Sequence, residues 1–100
     1  MHMTQVKVIN PAIAGRYQFT TATGSQYEIV LDGANKTLVR RPRTPEGKLR
    51  RDNQPIKILD LVNVQVSQSA QILLEPLGSS DHTLRITSRV AAIDYRPLSE

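Results

Sequence analysis

The apolar residues of this 100-residue chain recur at every second position in short runs: Val6 and Val8; Tyr17 and Phe19; Tyr27, Ile29 and Leu31; Val62, Val64 and Val66; Ile72 and Leu74; Leu84 and Ile86. A period of two sets each group on one face of a pleated strand. The runs predict strands near 4–9, 16–21, 26–31, 37–41, 62–67, 70–75, 82–88 and 89–95. Residues 56–63 break the alternation, because Ile56 and Ile58 fit a strand and the residues after them do not; one short helical turn is expected around Leu59 to Val62. Between Val90 and Ile93 the phase slips by one residue at Ala91 and Ala92, as a bulge or a sheet corner would make it.

Glycine and proline fall between these runs, where they punctuate strands. Ala22-Thr23-Gly24-Ser25 reads as a hairpin turn, with Gly24 accepting a positive φ that a Cβ would oppose. Gly78-Ser79-Ser80-Asp81 reads as a second reversal and Asp32-Gly33-Ala34-Asn35 as a looser third, which would make 16–41 a three-stranded meander. The expected fold is all-β: a small antiparallel, partly closed β-barrel of 6–8 short strands or a compact β-sandwich, with one long basic loop. In architecture it resembles small SH3-like or OB-like barrels, folds that carry unrelated functions.

Composition narrows the picture. Twenty-six Val, Ile and Leu residues against four aromatics (Tyr17, Phe19, Tyr27, Tyr95) make the core aliphatic. The length suits one domain, expected over residues 4–98, with Met1 to Met3 read as a cloning remnant. The absence of cysteine removes disulfides, thiolate metal ligands and a cysteine nucleophile. No apolar run exceeds four residues and the first residues lack an apolar signal core, so a cytoplasmic protein without membrane contact is expected.

Charge changes the picture most. Of a net charge of +4, residues 36–52 carry seven bases and two acids, while the rest of the chain has six bases and seven acids. Pro42 and Pro45 within it, Pro55 just beyond it, and this charge density predict a long loop whose guanidinium groups suit carboxylate or phosphate oxygens. The candidate partner-binding or polyanion-binding residues are Arg40, Arg41, Arg43, Lys48, Arg50 and Arg51. Bound to duplex DNA through about five phosphates, such a loop would give a salt slope of roughly −4 to −5.

Enzyme chemistry has little support. Ser79-Ser80-Asp81-His82 holds the residue types of a hydrolase triad, but neighbours on an extended chain point to alternate sides. Carboxylates occur singly along the chain, and phosphate-binding glycine loops and zinc-protease motifs are missing. Asn35-Lys36-Thr37 matches a glycosylation triplet without a signal peptide to give it meaning. Tyr17 and Phe19 share a face and are expected in the core rather than stacked on bases. The expectation is a non-enzymatic binding or assembly module without cofactor or metal. It contacts a macromolecular partner, a protein in the first place, through loop 40–54 and exposed strand edges. A nucleic-acid-binding barrel is the alternative, and edge pairing into a homo-oligomer a variant.

Overall fold

A computed structural model describes residues 4–41, 53–76 and 82–98. They form one antiparallel sheet of seven strands that is partly ringed: β1 (Thr4–Val6), β2 (Gly15–Thr21), β3 (Gln26–Asp32), β4 (Asn35–Arg41), β5 (Ile56–Asn63), β6 (Ser69–Leu74) and β7 (Thr83–Arg96). The order is β1-β7-β2-β3-β4-β5-β6, and β6 also pairs with β7, so six strands follow one another around the core with β1 added outside. The ring is narrowest between β4 and β5, which meet only at Thr37–Lys57 and Leu38–Ile56. Among the described residues no helix is long and apolar enough to cross a membrane.

The alternating runs behave as their parity requires. In β2, Tyr17 and Phe19 turn inward; in β3, Tyr27, Ile29 and Leu31 do the same. Phe19 and Tyr27 are cross-strand partners, and their rings stack with centroids 4.7 Å apart. Both expected hairpins within 16–41 are present. At the first, the Thr21 amide donates to the Ser25 carbonyl (3.0 Å) and Gly24 takes φ +91°. At the second, Asp32 pairs with Asn35, leaving a two-residue loop whose first residue, Gly33, has φ +61°. The expected turn at Gly78 lies outside the described residues.

Three sequence expectations are corrected. Residues 59–62 are not a helical turn but part of β5, and the expected strand 62–67 is displaced: Val62 is exposed, Val64 is buried, and Gln65 to Gln68 make a turn closed by a 3.2 Å backbone bond. Two bulges are the cause. Ile58 pairs with Leu74 and Asp60 with Leu73, leaving Leu59 extra; Leu61 pairs with Ile72 and Asn63 with Gln71, leaving Val62 extra. Each bulge adds a residue, so the buried side chains Ile58, Leu61 and Val64 are spaced by three, which imitates a helix.

The expected strands 82–88 and 89–95 are one continuous strand, β7, which pairs with β6 over its first half and with β2 and β1 over its second. The slip at Ala91 exists, for Thr20 pairs with Ala92 and Thr21 with Val90. A second slip follows against β6, where Ser69 pairs with Arg89 but Gln71 with Ile86. Thr87 holds it: its Oγ1 accepts the Ala70 amide (3.0 Å) and donates to the Ser88 carbonyl (2.6 Å). One slip would send Leu84 and Ile86 inward. Two send them outward and turn Arg85 and Thr87 into the interior instead.

Candidate functional site

The basic segment is framed by β4 and β5. The Asn53 amide donates to the Arg40 carbonyl at 2.8 Å, so the chain leaves after Arg41 and returns at Asn53 through one point beside the narrow β4–β5 seam. Arg41 is exposed at the end of β4. Arg43, Lys48, Arg50 and Arg51 lie outside the described residues.

Of the two candidate cations among the described residues, Arg40 departs from the expectation. The sequence reading sets it facing a partner, whereas its side chain is 8% exposed and points into the ring. Nε donates to the Tyr27 hydroxyl (3.1 Å), Nη2 to the Ser25 hydroxyl (3.2 Å), and the guanidinium carbon lies 5.9 Å from the centre of the Tyr27 ring. Arg40 thus ties β4 to β3 and to the first hairpin. The signal was in the sequence: Leu38 is a core residue, and the position two further along a regular strand shares its face. Arg41 has the opposite parity and faces solvent.

A second charged feature arises only from pairing. On the outer face of β7, β2 and β3, Arg96 lies opposite Arg16, and on the next rung Gln18 sits between Asp94 and Glu28. These five polar residues, with Tyr17, line a shallow cleft. Its two bases are matched by two acids, so it offers no net field for an anion. Among the described residues no group of three His, Asp or Glu side chains comes together to hold a metal ion. Of the triad-like residues, His82 is exposed just before β7, and Ser79, Ser80 and Asp81 lie outside the described residues.

The aromatics are all committed to structure. Tyr17 and Tyr95 are cross-strand partners with ring centroids 5.0 Å apart. Their hydroxyls donate to the carbonyls of Ile13 (2.9 Å) and Ala14 (3.0 Å), clamping the segment Asn10 to Ala14 onto the ring. That segment turns at Pro11, with the Ala12 amide on the Asn10 side chain (2.9 Å).

Burial pushes the Tyr17 phenol above its ordinary value of 10.0, and the charge of an ionised Tyr95 pushes it further the same way. A folded-state value above the unfolded one means that this contribution is full below about pH 10 and is lost as the pH rises through the raised value. Denaturant titrations at neutral and at strongly alkaline pH are therefore expected to show stability falling above about pH 10. In Tyr17→Phe the fall is shallower, and stability at neutral pH drops by about 1 kcal/mol with the Ile13 bond. An unchanged alkaline slope in the variant would assign the effect to another group.

Six large apolar side chains are about half exposed among the described residues: Val8 and Ile13 border a cleft with Val6, Asn10, Tyr17 and Tyr95, while Leu59, Val62, Leu84 and Ile86 lie on β5 and β7, where sequence reasoning did not place an apolar face. The bulges that turn these last four outward depend on pairing between distant strands. Set against family models, curated proteins and solved structures, the chain matches none.

Proposed function

We infer that this chain is a non-enzymatic binding module that meets an acidic protein surface through Arg41, Arg43, Lys48, Arg50 and Arg51. The observation that carries the reading is the Asn53–Arg40 bond, which draws the two ends of the basic segment together beside the narrowest seam of the ring. Five bases and two acids between Arg41 and Asp52 are thereby attached at one place on a chain whose remaining charge nearly balances. Arg40 is excluded because its guanidinium holds Tyr27 and Ser25.

A protein is favoured over a nucleic acid by the aromatics. Single-strand binders stack bases on exposed rings. Here Phe19, Tyr17 and Tyr27 are buried and Tyr95 is packed on Tyr17.

The test is a fluorescence titration with labelled poly-glutamate and with single- and double-stranded DNA, each at low and at physiological salt. The wild-type chain is expected to bind poly-glutamate. The variant with Arg41, Arg43, Lys48, Arg50 and Arg51 replaced by Ser is expected to bind at least about tenfold more weakly, with thermal unfolding unchanged. Binding to DNA and not to poly-glutamate would replace the reading with the nucleic-acid one. Binding to neither at low salt would end both.

A further inference from the structure

We propose that the outer face of β5, β6 and β7 is a docking surface for a second copy of this chain, forming a two-fold dimer by packing sheet on sheet. This goes beyond the acidic-partner reading and does not depend on it, since the face and the basic segment are separate.

The face is apolar where a solvated strand is polar. Leu59, Val62, Leu84 and Ile86 are 45%, 53%, 49% and 62% exposed, and half-buried Leu73 lies between them. By these fractions the four exposed side chains contribute roughly 400 Å² of apolar surface, a size at which patches on single chains tend to be functional. A one-residue shift of the first half of β7 would bury Leu84 and Ile86 and release Arg85, yet the pairing of Leu84 with Leu73 and Ile86 with Gln71 keeps the apolar side chains outside.

The layout selects a second copy. One rung holds Leu59 and Asp60 on β5, Leu73 on β6 and Leu84 on β7. The next holds Val62 and Asn63, then Gln71, then Ile86. The columns on either side of β6 therefore match, leucine over leucine and valine over isoleucine. A two-fold axis parallel to β6 lays β5 of one copy on β7 of the other: Leu59 meets Leu84, Val62 meets Ile86, Leu73 meets its own equivalent, and the Gln71 amides can pair. Such self-complementarity, in which i meets j and j meets i, is the condition for a closed two-fold interface. The charged residues on and beside this face, among the described residues, are Lys57, Asp60, Glu75 and Arg89, two of each sign, so the face itself carries no net charge although the chain carries +4.

Sedimentation equilibrium of the wild-type chain from low micromolar to near-millimolar concentration tests the proposal without a variant. A monomer–dimer equilibrium is expected; a monomer throughout overturns it, whatever the poly-glutamate titration shows. Val62→Lys and Ile86→Asp, both at exposed positions, are each expected to weaken the dimer at least about 30-fold with an unchanged circular dichroism spectrum. Mixed together, the two variants are expected to recover a heterodimer, because the ammonium group introduced on β5 of one copy faces the carboxylate introduced on β7 of the other while the second contact remains native. A dimer untouched by either variant, or two weakened variants with no recovery on mixing, overturns the stated packing. Should a variant fail to fold, Leu59→Ser gives the same reading with a smaller change.

Discussion

Gly15→Ala is expected to cost about 2–5 kcal/mol, the joint effect of backbone strain and overpacking. Gly15 opens β2 with φ +155°, a conformation that L side chains rarely adopt. Space is closed as well. A Cβ at this position would fall on Cε1 of the Tyr95 ring and lie 3.0 Å from the Arg96 carbonyl oxygen. The ring cannot retreat without cost, since its hydroxyl donates to Ala14 and its face packs on Tyr17. Moving it would loosen the clamp on Asn10 to Ala14 where β2, β7 and β1 come together. Against a total stability of about 5–15 kcal/mol for a domain of this kind, the loss would show as a large drop in denaturation midpoint. Gly33→Ala serves as the comparison: Gly33 has φ +61° but nothing within 4 Å of its missing Cβ, so the strain acts alone and about 1 kcal/mol is expected. Equal losses at both sites would show that the Tyr95 contact contributes nothing.

How far the sequence discloses this molecule depends on whether a side chain's direction is set locally. In β2 and β3 alternation is unbroken, and the inward sets around Phe19 and Ile29 can be read from parity alone. The hairpins at Gly24 and Gly33 are equally local, because each needs one residue with positive φ. In β5 and β7 parity fails at four bulges, and a bulge is decided by which distant strand supplies the partner backbone. Leu59 and Val62 are extra residues only because β6 lies opposite. The same limit hides the site. Arg41 and Asn53 are drawn together by a bond that residue spacing does not announce, and Glu28 and Asp94, far apart in the chain, share a rung through Gln18. Arg40 was within reach of parity. Its charge pointed to a loop, whereas a tyrosine ring and two hydroxyls let the strand bury it.

Arg85 is buried on different terms, and replacing it with Met is expected to stabilise the chain by about 1–4 kcal/mol. Its side chain is 8% exposed in the interior between β6 and β7, opposite Ile72. Nη1 is buried and has no hydrogen-bond partner among the described residues. Desolvating a guanidinium is costly, and without a full set of acceptors the cost is only partly offset. Methionine has a similar stem and no donors, and its flexibility lets it fill the same space beside Ile72 and Leu74. Arg40→Met makes the opposite case: the Tyr27 and Ser25 hydroxyls lose their donors, and a loss of about 1–3 kcal/mol is expected. Chemical denaturation of both variants and the wild type checks the pair, at one low protein concentration so that dimerisation does not enter. A gain for Arg85→Met is expected to raise the melting midpoint by about 4–8 °C per kcal/mol in a domain of this length. A loss instead would mean that the Arg85 guanidinium is held in solution by an acceptor such as a bound anion. Adding phosphate would then stabilise the wild type and leave Arg85→Met unmoved.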